Sequence, residues 1–307
     1  MATEPVTEPA TEPATEPTTD TPVSRPSRRS FGNLGWYLLL IALATVVLFP
    51  VWMTIARALS NGSATLFAPR PSAMPYKPIE WGAFGKAFTD GQLGRPLLVS
   101  ALVTVIVVTA QTATSVAGAY AFAFLEFPFK RLLFALTAAT LLLPIEVTLI
   151  ANIQTLQNAG LINPGQSFVQ AIGSLTLPFL ASAFGIFLIR QGFLGIPKDL
   201  RDAAKLDGYG DLGFLWRVAI PTTRPVIGSF VLISFLGAYN QYVWPRFSVK
   251  ANRWDTIQIA LRRFGLDNPD QLNLGFAAAI IAAIPVLILL LVFQKQLIRG
   301  LTAGAVK

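Results

Sequence analysis

The 307-residue chain contains neither cysteine nor histidine. That excludes disulfides, thiol nucleophiles, imidazole bases and the usual zinc and haem ligands. Charge is scarce too. Only 13% of the residues are charged and 53% are hydrophobic, whereas a soluble domain carries roughly a quarter charged residues. Such a chain has more apolar surface than one soluble core can bury. The net charge of +8 does not point to nucleic acid, because no basic patch is interleaved with aromatics, and basic residues bordering apolar segments are what membrane topology requires.

What is present is a series of long uncharged runs. A helix crossing ~30 Å of hydrocarbon needs about 20 mostly apolar residues. Residues 30–56, 96–125, 225–245 and 271–294 hold no Asp, Glu, Lys or Arg, and each can supply one span. Between Arg131 and Arg190 the only charge is Glu146, and the stretch is too long for one helix. Gly160, Asn163 and Pro164 are turn signals that split it at 158–165, which gives six spans. Ahead of them, Thr3-Glu4-Pro5 repeats at Thr7, Thr11 and Thr15 with no apolar periodicity, so residues 1–33 read as a disordered cytoplasmic tail. With no basic n-region and no small-residue cleavage site before Leu34, the first helix reads as retained.

Orientation follows from the short loops. Lys130 and Arg131 lie between spans two and three, while the loop between spans three and four has no Lys or Arg. The first is therefore assigned to the cytoplasm, which puts both termini and residues 190–224 there as well.

The segment 190–224 has a helical pattern of its own, which a plain connector does not need. Pro197 suits a first helical turn, and Asp199 and Asp202 suit the positive end of the helix dipole. Leu200, Ala203, Ala204 and Asp207 fall near one face. Gly208 permits a turn, and a second run, Leu212–Ile220, leads to Pro221 and back into the membrane.

Asp202-Ala203-Ala204-Lys205-Leu206-Asp207-Gly208, followed by Val218-Ala219-Ile220-Pro221, resembles the EAA loop of the membrane subunits of binding-protein-dependent ABC importers. The leading acid is Asp202 where that family usually has Glu, one methylene longer. Phe187-Leu188-Ile189-Arg190-Gln191, Tyr239-Asn240-Gln241-Tyr242-Val243-Trp244-Pro245 and the closing segment Arg299–Lys307 agree with the carbohydrate-type branch, and Leu143-Pro144-Ile145-Glu146-Val147 with its glycerol-3-phosphate type. The resemblance covers about residues 34–307. It implies an all-α integral membrane protein of the type I importer fold with a cytoplasmic coupling loop at about 195–222. It implies also a non-catalytic subunit of an inner-membrane transporter for a sugar, polyol or glycerol-phosphate-type solute, with sn-glycerol-3-phosphate or a glycerophosphodiester as the best-fitting cargo and an oligosaccharide or disaccharide as the alternative. The implied partners are a second permease subunit, two ATPase subunits and an external solute-binding protein. ATP and magnesium belong to the ATPase, since no GxxxxGK[ST] signature occurs here.

Candidate pathway residues are fewer. Glu146 is an acid deep in an apolar stretch, which is costly enough to mark function, although Pro144 two residues earlier equally allows a structural role. Tyr239, Asn240, Gln241 and Trp244 offer hydrogen bonds and stacking to a polyol, or form an aromatic interface belt. Ala113, Ser115, Ala117, Gly118 and Ala119 read as helix packing, and Arg253, Asp255, Arg262, Arg263, Asp267 and Asp270 as solvated loop charges or a contact for the solute-binding protein. A secondary transporter would need coupling-ion acids, and only Glu146 is available. Because nothing in the Thr-Glu-Pro repeat can pack, deletion of residues 1–22 is expected to leave solute uptake intact; loss of uptake at normal expression would contradict this.

Overall fold

The computed structural model of the protein describes residues 31–62, 72–266 and 271–303. Among these there are helices and turns and no strands. The expected tail lies outside the described residues up to Ser30, and the first helix begins at Phe31. The chain divides into two units, 1–49 and 50–307. What is described of the first is helix α1, Phe31–Ala58, whose final turns belong to the second unit. Leu38, Val46 and Leu48 on α1 are well exposed, the surface a bilayer covers without cost.

The second unit is built from α2 (Ala83–Thr89), α3 (Gly94–Phe124), α4 (Lys130–Ala139), α5 (Ile145–Asn158), α6 (Phe168–Thr176), α7 (Ala183–Leu194), α8 (Lys198–Leu206), α9 (Asp211–Thr222), α10 (Arg224–Tyr239), α11 (Val243–Ser248), α12 (Ile257–Leu266) and α13 (Leu272–Ala303). Three continuous helices, α1, α3 and α13, are long and apolar enough to cross a membrane, and three bent pairs raise the number to six when each pair is taken as one crossing. The pairs are α4 with α5, α6 with α7 at 50°, and α9 with α10 at 78°. Pro144 stands at the first break, at the entry to α5, where its missing N–H leaves no donor unpaired.

α3, 31 residues long, is the spine of the bundle and lies against both α7 and α10, with α10 in turn against α13. The break between α6 and α7 frees carbonyls that hydrocarbon cannot hydrate. α3 supplies their donors: Gln111 Nε2 to Phe179 O at 2.9 Å, Thr114 Oγ1 to Leu180 O at 3.0 Å and Ser115 Oγ to Ser182 O at 3.4 Å. Ser234 of α10 donates to Gln111 Oε1 at 2.7 Å, so three spans meet on one amide. Gly185 permits the close approach, because a Cβ there would lie 2.2 Å from Ser115 Oγ and 2.4 Å from Phe230 Cζ. Ser115, Gly118 and Ala119 thus pack as small residues should, Gly118 against Ile186. Ala113 and Ala117 do not: they line an apolar cavity of about 560 Å³ with Val116, Trp216, Ile227 and Val231.

The fifth span departs from the run of uncharged residues at 225–245. α10 stops at Tyr239, where Asn240 Nδ2 donates to Leu236 O, and the chain restarts as α11. Pro245 enforces the break: in a continuing helix its ring would clash with the carbonyl of residue 241, whereas three residues into a new helix its missing N–H is harmless. At 16 residues, α10 rises only about 24 Å, less than the ~30 Å of hydrocarbon.

The end of the bundle remote from α8 is closed by ordered structure. Gln166 is fully buried and works as a hub: its Nε2 donates to Leu161 O at 2.7 Å and Ser248 O at 3.0 Å, and its Oε1 accepts Lys250 N–H at 2.8 Å. Its main-chain oxygen accepts from Arg253 Nη2 and Trp254 Nε1. Asp255 is buried and ion-paired with Arg263, and burial pushes its carboxyl above the usual range despite that partner and Arg246. The loop charges expected to be solvated are therefore partly structural, although Asp267 and Asp270 lie outside the described residues.

Two consequences can be measured. Gly185→Val forces α3 and α7 apart and is expected to cost about 1–3 kcal/mol, read as a lower Tm of the detergent-purified protein. Gln166→Leu strands the Leu161 and Ser248 carbonyls and the Lys250 N–H, each worth about 1–3 kcal/mol when buried and unpaired, so proteolysis at 246–254 should accelerate markedly.

Candidate functional site

α8 is short and polar, and its two ends explain it. Pro197 sits at the N-cap position, one residue before the first helical turn that the sequence suggested, with φ −56° and ψ 141°, and its carbonyl accepts Leu200 N–H. Asp199 lies in the first turn and Lys205 in the last, each complementing the helix dipole. At the far end Gly208 takes φ +79°. Gly208 N–H bonds to Lys205 O and Tyr209 N–H to Ala204 O, the paired pattern of a Schellman stop. The glycine has open space around it, so its requirement is conformational.

This geometry leaves most of the helix uncovered. Asp202, Ala203, Lys205, Leu206, Asp207 and Gly208 are all exposed, and Leu206 is 90% exposed. Ala204 alone among the suggested residues turns inward, packed with Ile196, Phe193, Phe214 and Leu215. The single face proposed for Leu200, Ala203, Ala204 and Asp207 is thus divided, since only Ala204 of the four is buried. Two further apolar residues of the same loop, Leu212 and Trp216, are about 70% exposed, Trp216 lining the cavity of Ala113 and Ala117. Sequence pattern passed over them, although large apolar side chains in a loop with six basic residues are themselves a signal.

Pro221 does not close the loop as its position suggested; it lies within the helical run of α9, and the bend comes after it at Thr223. A single π turn, Leu215–Ala219, precedes the proline and opens the helix where its ring would otherwise meet a carbonyl. Thr223 marks the corner, its Oγ1 donating to Ala219 O.

Beneath α8 stands an aromatic box. Tyr120, Phe124, Phe193 and Phe214 meet with ring centroids 5.2–6.5 Å apart, the span over which tilted and edge-to-face rings attract. Tyr120 Oη donates to Asp211 O at 2.9 Å, fastening α9 to α3. The exposed carbonyls at the end of α3 are taken by cations: Phe122 O by Arg190 Nε, Phe124 O by Arg201 Nη2 and Leu125 O by Lys130 Nζ.

The pathway candidates are dispersed. Tyr239 is buried, its hydroxyl on Ala282 O and its ring stacked on Phe235. Trp244 is buried as well, with Nε1 donating to Ser174 O and the ring edge-on to Phe179. Both spend their polar groups within the chain, so neither is a pathway wall or a membrane-belt aromatic. Asn240 remains exposed, its Oδ1 accepting from Gln258, and Gln241 is half-buried. Glu146 falls in the first turn of α5, and its side chain lies outside the described residues, as do residues 304–307 of the closing segment.

Known proteins resemble this chain in sequence and in fold. The sn-glycerol-3-phosphate transport system permease protein of Yersinia pestis is 29% identical over 272 residues, 86% of this chain and 94% of that one. That of Brucella abortus is 29% identical over 283 residues, 89% and 97%. A bacterial ABC transporter involved in the import of the acidic polysaccharide alginate superposes with a TM-score of 0.71 at 25% identity, covering 90% of this chain and 99% of the matched chain. A second structure, a bacterial alginate ABC transporter in complex with alginate pentasaccharide-bound periplasmic protein, reaches 0.58 at 15% identity and supports the fold alone. Residues 112–303, from the middle of α3 to the end of α13, match the family described as the inner membrane component of binding-protein-dependent transport systems, and the chain belongs to that family.

Proposed function

We propose that this permease forms half of the translocation path of an ATP-driven importer and docks a separate ATPase through the exposed face of α8. The observation that carries the reading is a capped nine-residue helix whose Asp202, Ala203 and Leu206, with Gly208 just past its end, stand exposed. Small residues there allow another protein to approach closely, and Leu206 offers an exposed apolar anchor. ATP and magnesium are assigned to the ATPase, and the assembly would comprise a second permease, two ATPase subunits and an extracytoplasmic solute-binding protein. Both termini and α8 face the cytoplasm.

The cargo named for the relatives, sn-glycerol-3-phosphate, supports sn-glycerol-3-phosphate as the first reading here, with a glycerophosphodiester as its chemical neighbour. The alginate transporter likeness keeps an oligosaccharide as the second reading. Asn240, Gln241 and Glu146 are the remaining candidates for the solute path; burial of Tyr239 and Trp244 removes those two.

The test is co-purification and uptake with candidate partners in membranes. Ala203→Glu with Gly208→Asp places two new acids on the docking face and a side chain in the left-handed turn. The pair is expected to insert normally while ATPase retention and ATP-dependent uptake fall about tenfold or more, the equivalent of ~1.4 kcal/mol. Survival of both would remove α8 as the docking site. Competition of uptake by glycerol-3-phosphate against that by an oligosaccharide decides between the two cargoes.

A further inference from the structure

α8 touches the bundle through very little. Of its nine residues, seven are exposed, and the two that are not, Arg201 and Ala204, are three apart and so share a face. Ala204 supplies contact without direction, as one methyl group against the aromatic box. Arg201 supplies direction: its Nη2 donates to Phe124 O at 3.1 Å, and its guanidinium lies over the Phe124 ring, 5.3 Å from the centroid. No other side chain of α8 makes a hydrogen bond outside the helix among the described residues.

The acceptor matters as much as the donor. Phe124 ends α3, and its carbonyl belongs to the unpaired negative end of a 31-residue helix dipole. α3 is also the helix whose Gln111, Thr114 and Ser115 hold the break between α6 and α7. A pull on Phe124 O is therefore applied at the end of a helix that lies against both α7 and α10. Arg190 grips Phe122 O of the same turn, but from α7, and so binds the bundle to itself.

We infer that Arg201 is the positioning residue that passes motion of the docked α8 to the membrane bundle, through its bond to the carbonyl terminus of α3. This rests on the docking role proposed for α8 and adds the route by which force leaves it. The arginine faces away from the docking surface, so it should be separable from ATPase binding. A planar guanidinium both donates to the carbonyl and stacks on the ring, whereas lysine can do only the first.

The experiment compares wild type, Arg201→Ala and Arg201→Lys in the assembled transporter, reading retained ATPase, ATP hydrolysis and solute imported per ATP hydrolysed. In Arg201→Ala the ATPase is expected to stay bound and hydrolyse ATP, while solute imported per ATP falls about tenfold or more, as for loss of a charged hydrogen bond. Arg201→Lys should recover part of that ratio. The inference is overturned if Arg201→Ala imports with the wild-type ratio, if uptake and ATPase retention fall together, or if lysine does no better than alanine. Were wild type itself to retain no ATPase, the docking reading would fail instead, independently of Arg201.

Discussion

A peptide carbonyl in hydrocarbon must find a donor within the protein, and this bundle is arranged around that constraint. Among the described residues three helix pairs are bent at short breaks, and a break within hydrocarbon exposes backbone polar groups. α3 is unbroken, and its polar side chains face the break that lies beside it. Leaving a buried polar group unpaired costs about 1–3 kcal/mol, so the position of Gln111 decides where the α6–α7 corner can stand, and Gly185 decides how closely it can approach. The few polar side chains of the long, mostly apolar α3 thus set the geometry of the bend beside it.

The fold was largely legible in the sequence because membrane spans are written in composition. Charge-free runs marked α1 and α3 to within a few residues and the start of α13, which runs nine residues past the end of its run, and Gly160, which takes φ +73°, marked the turn after α5. The end of α10 was misjudged for a physical reason: 225–245 is apolar throughout, and hydropathy does not register that Pro245 cannot follow four helical residues. Hydropathy also missed Ser182 as the cap of α7, where its Oγ accepts from Gly185 N–H inside an apolar stretch.

The candidate site was legible where local chemistry is demanding and obscure where tertiary contact decides. Gly208 announces a left-handed turn and Pro197 a helix start, and α8 stands between them. Nothing local distinguishes Arg201 from Lys198 or Lys205, yet only Arg201 reaches α3. Tyr239 and Trp244 show the reverse error, since a polar atom on an aromatic ring advertises itself equally whether it meets a ligand or, as here, a backbone carbonyl. Arg217, over the Tyr209 ring at 4.9 Å, belongs to the same class of contact that no spacing rule reveals.

Gln166 gives the remote end of the bundle a particular mechanical character. One buried residue holds Leu161, Ser248, Lys250, Arg253 and Trp254 at once, so the turn before α6 and the strand of chain after α11 share their bonds rather than each having its own. Neither can peel away without taking the other. A molecule arriving at that end meets one latched surface, not a fringe of separate loops.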